Sequence, residues 1–480
     1  MQLTEFDHQS LIERTRRDFA PFYDQLRWIT PEAAEEMTRL RRELLDILSS
    51  NAATAFGNTK PFTGSLSPGC RLCGGEWSCL FINNICNARC FYCPSRQQQV
   101  DEPGTSTLTF VHAKDYVDYL EYFGFKGASI SGGEPFMTFE RTLAFASLIK
   151  KRFGERIYLW LYTNGILAAD DKLRRLRDAG LDEIRFNIGA VGYSLDRVSK
   201  AVGIIPHVTI EVPAVPERVD ELISLLPEMK ERGVDFLNLH QIRCTAFNYP
   251  NLVSRGYTFV HGPATGVAES EIAALTVLAH AAERGIGPAV NYCSLIYRQR
   301  YQARAARHRW AERLKKGHED ITETGMIRSL SCAADPSVLD SLETSFAAEG
   351  AGLYQRKNGR LYFGRALMAP VLAAGAGLRV SYYLPSIHPS VTYRNPYQEV
   401  RLNRKKTVVL ERASAVADLD LGPDEAEAFS ALTGAGQTVP ADLDALFRLF
   451  PGIGRTLQAQ EKWGQIPHAE RLRSGLLEYY

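Results

Sequence analysis

Short apolar runs alternate with longer amphipathic segments from residue 80 to about residue 240. The runs have the length and apolar content of buried strands, and the segments between them repeat apolar residues at helical spacing. The predicted strands are Leu80–Asn84, Lys126–Ser131, Ile157–Tyr162, Glu183–Asn187, His207–Val212 and Asp235–His240. The predicted helices are His112–Phe123, Phe139–Phe153, Ala169–Ala179, Leu195–Val202 and Glu217–Arg232. Six strands with crossover helices predict a parallel α/β sheet that closes fully or partly into a barrel, with functional residues at the strand ends.

The pattern changes on both sides of residues 67–245, which we take as the barrel domain. Residues 1–66 predict an N-terminal helical segment, and residues 246–345 predict a helical extension. Residues 346–480 predict a mixed α+β accessory domain that holds substrate. The predicted elements beyond the barrel are helices at Glu269–Arg284 and Tyr297–Lys316, a hairpin turning at Asn358 and Gly359, and strands at Leu378–Leu384 and Val400–Leu410.

Charge and hydropathy exclude several classes of protein. The 480 residues carry 56 Lys and Arg against 55 Asp and Glu, a net charge of +1, so no overall field attracts nucleic acid or an anionic membrane. The first residues lack the basic and apolar pattern of a secretory signal. The longest weakly polar stretch, Ala366–Gly377, is shorter than the roughly 20 apolar residues of a membrane-spanning helix. We therefore expect a cytoplasmic protein without a membrane partner.

The cysteines are distributed unevenly. Six of the nine lie between Cys70 and Cys93. In a chain without an export signal, such a group indicates metal binding or catalysis rather than disulfides.

Three of these cysteines, Cys86, Cys90 and Cys93, follow the first predicted strand at separations of four and three residues. Three thiolates at this spacing can bind three irons of a cubane cluster and leave the fourth iron open to another ligand. The alternatives are a zinc site or buried cysteines. Structural zinc takes four protein ligands, usually as two pairs, which this trio does not supply.

The three-cysteine spacing, with Tyr92 directly before the last cysteine, resembles the radical S-adenosylmethionine (radical SAM) superfamily. Gly132, Gly133 and Glu134, at the end of the second predicted strand, are similar to the Gly-Gly-Glu motif of that family. The resemblance implies a partial (β/α)6 TIM-like barrel and a [4Fe–4S] cluster that binds S-adenosylmethionine. It also implies reductive cleavage to a 5′-deoxyadenosyl radical, with electrons from a low-potential donor such as flavodoxin or ferredoxin.

The resemblance further implies which side chains contact the cofactor. Glu134 would hold the methionyl amino group, and polar groups on later strands would face the carboxylate, the ribose or the adenine. Each of these strand-end residues could instead cap a loop. The implied cofactor-binding residues are Tyr92, Gly132, Gly133, Glu134, Asn164, Arg185, Asn187, Glu211 and Val212.

A second group of cysteines lies just upstream. Cys70 and Cys73 form a Cys-x-x-Cys pair, and Cys79 follows. Such a pair is a common half-site for zinc or an iron–sulfur cluster, and it can also be redox-active. The sequence also resembles a group related to the pyruvate formate-lyase activating enzymes, which carries a paired-cysteine motif before the radical motif. We therefore expect a second [4Fe–4S] cluster on Cys70, Cys73, Cys79 and Cys293, with zinc and unligated thiols as alternatives.

Three functions remain open. The favoured one is a radical SAM enzyme that modifies a peptide or small molecule. The second is a radical methyltransferase, another group transferase or a glycyl-radical activase. The third is an RNA-modifying enzyme or a metal-stabilised nucleic-acid-binding protein, suggested by the Arg-rich run from Arg298 to Trp310. Such a run is more often a solvated helix face, and the neutral net charge disfavours a nucleic-acid partner.

Overall fold

The computed structural model describes residues 5–350, 352–434, 443–454 and 456–479, and the chain divides into two compact units. The first is built from Asp7–Gln302, with Leu402–Lys406 and the residues from Ser474 onward. The second is built from Ala303–Arg401 and Thr407–Arg473. The boundary between the two units thus falls at residue 302. The sequence pattern predicted domain boundaries at residues 245 and 345.

The first unit contains a long mixed sheet. Its main strands are β1 (Lys60–Phe62), β2 (Trp77–Phe81), β3 (Gly127–Ser131), β4 (Tyr158–Thr163), β5 (Glu183–Phe186), β6 (His207–Pro213), β7 (Phe236–His240) and β8 (Ala289–Cys293). Strands β2 to β8 lie in sequence order and every neighbouring pair is parallel, while β1 is antiparallel to β8. Short strands extend both edges, Ala53–Ala55 beside β1 and Gly104–Thr105 with Leu108–Thr109 beyond β2.

Helices connect these strands in the right order for crossover units. The helices of this unit are α1 (Glu5–Asp18), α2 (Pro31–Asn51), α3 (Pro68–Leu72), α4 (Ala113–Tyr122), α5 (Phe139–Phe153), α6 (Asp170–Asp178), α7 (Asp196–Ser199), α8 (Val219–Glu231), α9 (Tyr249–Val253), α10 (Ala268–Arg284) and α11 (Leu295–Tyr297). None of the helices within the described residues is long and apolar enough to cross a membrane.

The strands are buried on both faces, and the sequence of β5 suits this position. Ile184 and Phe186 are fully buried apolar residues, and between them Glu183 and Arg185 form a buried ion pair at 2.8 Å. Alternation along a strand sends the two sets to opposite faces. The apolar set packs under helices, as in other parallel sheets, and the charged set faces the barrel interior.

The predicted α/β barrel is confirmed, with differences in detail. The first strand, β2, lies three residues earlier than predicted. A seventh parallel strand, β8, was not predicted, because the polar Asn291 interrupts its short apolar run after the long helix α10. The helix predicted at Leu195–Val202 is reduced to α7. The helix predicted at Tyr297–Lys316 is interrupted by a π-helical turn at Arg298–Gln302.

The second unit is an antiparallel sheet with helices on it. Its strands are β9 (Glu319–Ile321), β10 (Ile327–Cys332), β11 (Tyr354–Lys357), β12 (Arg360–Phe363), β13 (Leu378–His388), β14 (Tyr397–Arg401) and β15 (Thr407–Leu421). The sheet order is β11-β12-β10-β13-β15-β14, with β9 paired to β10. Its helices are α12 (Ala303–Leu314), α13 (Pro336–Ala347), α14 (Met368–Ala373), α15 (Pro423–Thr433), α16 (Leu443–Leu449) and α17 (Leu457–Glu470).

Two predictions for this unit have different outcomes. The hairpin at Asn358 and Gly359 is confirmed, since it joins β11 to β12 and both residues have positive φ, 51° and 70°. The single strand predicted at Val400–Leu410 is wrong. Residues 402–406 form a turn between β14 and β15, closed by a hydrogen bond from Leu402 N to Lys406 O.

Candidate active site

The loop after β2 presents Cys86, Cys90 and Cys93 together. The backbone turns between Cys90 and Cys93, where Cys93 N donates to Cys90 O at 3.0 Å. The Cys86 sulfur accepts from Ala88 N at 3.4 Å and from Asn164 Nδ2 at 3.6 Å. Burial raises the pKa of the Cys86 and Cys90 thiols, so they remain protonated unless a metal displaces the proton.

A cavity of about 420 Å³, which we name the barrel cavity, opens beside this loop at the carboxyl ends of the strands. Its walls contain most of the predicted cofactor-binding residues and all three cysteines of the motif. From the predicted set, the lining residues are Tyr92, Gly133, Glu134, Asn164, Arg185, Asn187 and Glu211. Gly132 and Val212 do not line it, and Val212 is fully buried. The strand ends thus meet as the parallel topology requires.

Glu134 is buried and anchors the neighbouring strand end. One carboxylate oxygen accepts from Thr163 Oγ1 at 2.8 Å and from Phe136 N at 3.0 Å, and the other accepts from Asn164 N at 2.7 Å. Burial raises the pKa of Glu134 to about 6, against the lowering effect of these hydrogen bonds. In this structure the carboxylate therefore positions Asn164, and its predicted contact with an amino group remains a prediction.

The two glycines before Glu134 let the chain pass close to the cysteine loop. Gly132 and Gly133 have φ of 84° and 55°, which side chains rarely tolerate. A Cβ on Gly133 would collide with the carbonyl oxygen of Ile85, just before Cys86, and Glu134 N donates to that same oxygen at 2.7 Å. The motif therefore couples the end of β3 to the position of the cysteines.

Tyr92 joins the cysteine loop to two other parts of the barrel. Its hydroxyl donates to Asn187 Oδ1 at 3.0 Å, and its carbonyl accepts from Asn248 Nδ2 at 3.0 Å. Asn248 is fully buried and was not predicted, because a single Asn in a loop carries no sequence signal for this contact. These bonds fix the loop against β5 and against the segment after β7.

Arg185 lies deeper in the barrel, within a network of charges. It pairs with Glu183 and Glu211, each at 2.8 Å, and donates to Ser67 Oγ at 3.1 Å. Burial alone would raise the pKa of Glu211, but the Arg185 guanidinium and His240 outweigh it and lower that pKa to about 2. Arg185 is thus already paired with two carboxylates, which makes it a positioning group in the cavity wall.

Tyr162, His240 and Arg298 also line the barrel cavity. Burial, aided by Arg298, lowers the pKa of His240 to about 3, so its ring is neutral. The nearby Cys293 thiol helps to raise the pKa of Arg298, against the lowering effect of burial. The sequence placed Arg298 on a basic helix, whereas the structure places it inside the barrel.

The cysteine motif suits an iron–sulfur cluster. No group of three or more His, Cys, Asp or Glu side chains, in the part of the chain that the structure describes, is arranged to hold a single metal ion. A cubane cluster needs a wider arrangement, because each thiolate binds a different iron. Cys86, Cys90 and Cys93 line one cavity without meeting at one point, and they supply the sulfur ligands that such a cluster prefers.

Of the upstream cysteines, Cys70 and Cys73 are buried and Cys79 is half-buried. Cys73 packs with Tyr297 and Cys293 in one buried cluster of side chains, and Cys70 lies one helical turn before Cys73. Cys79 faces the interior from β2, beside the Ser129 hydroxyl. The structure therefore brings Cys293 to Cys73, and the ligand set Cys70, Cys73, Cys79 and Cys293 remains a prediction.

Comparison with known proteins agrees with this geometry. Residues 80–202 match the profile of the family described as "Radical SAM superfamily". A "Putative glycyl-radical enzyme activating enzyme" of Methanocaldococcus jannaschii is 29% identical over 276 residues, which are 55% of this chain and 72% of the relative. This chain is a radical SAM enzyme. It is related to activating enzymes of the pyruvate formate-lyase type.

Two further similarities of this radical SAM enzyme cover a smaller share of the proteins compared with it. A "Probable GTP 3′,8-cyclase" of the same organism is 28% identical over 162 residues, 31% of this chain and 52% of the relative. The crystal structure of Streptococcus suis SuiB has a TM-score of 0.32 and 11% identity, over 46% of this chain and 49% of SuiB. The radical SAM enzyme thus spans about half the length of each of these two proteins.

Proposed function

We propose that this radical SAM enzyme generates a 5′-deoxyadenosyl radical in the barrel cavity and uses it on a peptide or small-molecule substrate. The observation that carries the proposal is the shared cavity. Cys86, Cys90 and Cys93 line it together with Tyr162, His240 and Arg298, so one space of about 420 Å³ can hold a cofactor beside its substrate.

Each group in the cavity has a role in this proposal. A [4Fe–4S] cluster on the three cysteines supplies, with S-adenosylmethionine and one electron, the radical chemistry. Asn187 offers its amide group toward the cofactor from a position fixed by Tyr92, and Glu134 fixes the backbone of Asn164, whose own amide is bonded to Asn87 and Ile166. The predicted second cluster, on Cys70, Cys73, Cys79 and Cys293, is part of the same proposal.

The glycyl-radical activase is a second candidate, which the similarity to the M. jannaschii activating enzyme favours. In that case the substrate is a protein segment rather than a free small molecule. Hydrogen abstraction from a partner would leave a radical on that partner, detectable by electron paramagnetic resonance (EPR). A modified small molecule or peptide without a partner radical would support the first candidate instead.

We further propose a low-potential flavodoxin or ferredoxin as donor and a cytoplasmic location. All nine cysteines are unpaired in the structure, which suits a reducing compartment. The loop that carries the three cysteines is part-exposed on a second hollow, lined in part by Arg89, Met137 and Phe247, through which a donor could approach.

Anaerobic cleavage of S-adenosylmethionine with dithionite tests the proposal. We expect the wild type to release 5′-deoxyadenosine and the Cys90→Ala variant to release none, because the radical cluster loses a ligand. Cys332→Ala is the matched control, since Cys332 is a fully buried thiol of the second unit. Cleavage retained by Cys90→Ala, or lost equally in Cys332→Ala, would contradict the assignment.

A further inference from the structure

The second unit has a cavity of its own, also about 420 Å³ in volume, which we name the sheet cavity. All of its lining residues belong to the second unit, and in the part of the chain that the structure describes it shares none of them with the barrel cavity. The radical chemistry proposed above therefore uses none of these residues. The polar groups that line the sheet cavity include Lys316, His318, Glu319, Ser329, Lys357 and Arg412.

The sheet cavity lies on the face of the sheet that is opposite to the core of the second unit. Leu330 and Cys332 of β10 belong to that core. Ser329 alternates with them along the strand, so it lies on the other face. Glu319 on β9 and Ser381 on β13 pair with Ser329 directly across the sheet and share its face. This face is therefore polar, with the apolar core behind it.

The sheet curves around the cavity. Glu319 on β9 and Arg412 on β15 form an ion pair at 2.6 Å, although β10 and β13 lie between their strands. In a flat sheet, strands separated by two others are roughly 14 Å apart. The pairing of β13 with β15 shifts on both sides of Tyr383, and such a bulge bends a strand. The polar groups thus line the concave side of the sheet.

Positive charge exceeds negative charge in this cavity. Three cationic side chains line it, Lys316, Lys357 and Arg412, and Glu319 is the only carboxylate among the described residues that line it. Glu319 is already engaged, because one oxygen accepts from Arg412 Nη1 at 2.6 Å and the other from Lys316 N at 2.9 Å. Neither lysine ammonium thus has an unengaged carboxylate in the cavity lining.

Two buried polar side chains at the cavity have no hydrogen-bond partner among the residues that the structure describes. Ser329 and His318 are each 5% exposed, and both line the cavity. On the same face Ser381 is satisfied, since its hydroxyl donates to Asp418 Oδ1 at 2.7 Å. Burial lowers the pKa of His318, against the raising effect of Glu319, so its ring is neutral at pH 7 and keeps one N–H donor. A ligand that bonds to these groups offsets the cost of burying them.

Three tyrosines complete the lining, Tyr362, Tyr383 and Tyr397. Arg412 stacks on Tyr383, with its guanidinium carbon 3.7 Å from the ring centroid. Tyr362 and Tyr397 therefore supply the apolar contact area for a ligand. Ligand pockets commonly combine such aromatic walls with a few polar groups that orient the ligand.

We infer that the sheet cavity binds the phosphate group of a small molecule. Three cations against one carboxylate leave an excess of two positive charges. A phosphomonoester carries about −1.5 to −2 charges at pH 7 and has three terminal oxygens. Lys316 and Lys357 supply the charge, and His318 and Ser329 supply further donors. A carboxylate has one charge and two oxygens, so it matches this set less well.

Isothermal titration calorimetry on the full chain tests the site with phenyl phosphate, inorganic phosphate and benzoate as probes. Chloride keeps the ionic strength constant, because salt screens contacts between charges. We expect phenyl phosphate to bind, inorganic phosphate to compete with it, and benzoate to bind about tenfold more weakly or less. No binding of phenyl phosphate, or equally tight binding of benzoate, would overturn the phosphate site.

Substitutions of single lysines locate the site. Lys316→Gln and Lys357→Gln should each weaken the binding of phenyl phosphate about tenfold, through the loss of one charge-assisted contact. Lys315→Gln is the matched control, because Lys315 is the exposed neighbour of Lys316 and does not line the cavity. It should change the affinity less than about twofold. Equal weakening in all three variants would show that net charge alone attracts the probe, and would overturn the site.

Ser329→Ala separates a role in binding from a role in folding. Since the Ser329 hydroxyl has no partner to lose, this variant should keep the melting temperature of the second unit and bind phenyl phosphate about threefold more weakly. Ser381→Ala breaks the bond to Asp418, so it should lower the melting temperature and leave the affinity unchanged. The opposite pattern would overturn the assignment of Ser329. Because these measurements need neither a cluster nor turnover, their outcome does not depend on the proposed function.

Discussion

Glu134 shows how one side chain can link a sequence motif to the geometry of a whole cavity. It is 1% exposed and has no cation within ion-pairing distance among the described residues. Its three hydrogen bonds hold Thr163 and Asn164 at the end of β4. Since burial raises its pKa to about 6, the carboxyl group binds a proton more tightly in the folded chain than in the unfolded one.

We predict a pH dependence of stability from this shift. Between the unfolded pKa of about 4.5 and the folded value of about 6, the folded chain binds more protons, so stability falls as pH rises through this window. The contribution is about 2 kcal/mol. Chemical denaturation at pH 5 and pH 7 measures it as a difference between wild type and Glu134→Gln.

The Glu134→Gln variant also affects the site directly. Its amide nitrogen would face Asn164 N, donor against donor, so we expect cofactor cleavage to fall about tenfold or more, consistent with the loss of one charge-assisted hydrogen bond. An unchanged pH dependence in the variant would mean that another group titrates in this window.

At the scale of elements, the site depends on a close crossing between the end of β3 and the cysteine loop. Gly132 and Gly133 make the crossing possible through positive φ and the absence of a Cβ. The same crossing carries the bond from Glu134 N to Ile85 O. This crossing therefore holds the strand, the glycine turn and the cysteine loop together.

Gly133→Ala is expected to disrupt this crossing more than an ordinary glycine substitution would. Its Cβ would collide with backbone at Ile85 and with Asn83, in addition to the strain of φ 55°. Gly154→Ala is the matched control, with φ 56° and open space around its Cβ. We expect reconstituted iron and cofactor cleavage to fall about tenfold or more in Gly133→Ala only. Equal effects in both variants would point to backbone strain alone.

At the scale of the molecule, the chain contains two units with separate cores. The core of the second unit includes Trp463 and Phe346 and is closed by a buried ion pair, Arg328 with Glu470 at 2.9 Å. Tyr382 donates to the same carboxylate at 2.6 Å. Removing Arg328 would leave Glu470 buried with a single donor from this group, which is a costly state.

We predict that Arg328→Met destabilises the second unit by about 3–5 kcal/mol. Differential scanning calorimetry should show the transition of the second unit at lower temperature, while iron content and cofactor cleavage below that temperature stay at the wild-type level. Arg356→Met is the control, because its partners Asp340 and Glu343 are far more exposed, and it should shift the transition much less. Loss of cleavage in folded Arg328→Met would show that the units depend on each other.

The sequence by itself determined the features that depend on local spacing. The cysteine motif, the glycine turn, the crossover pattern of six strands and the Asn358 hairpin are all set by residues close together in the chain. Periodicity and turn chemistry act over such short distances, so these features could be predicted. The fold class followed from them.

Only the tertiary structure decided which distant residues meet. Cys293 packs into one buried cluster with Cys73 across more than two hundred residues, and the register of β1 on β8 places Lys60 opposite Cys293. Arg185 faces Glu183 and Glu211 because alternation on neighbouring strands directs all three inward. Strand register and burial set these contacts, and neither is encoded in the spacing of the residues along the chain.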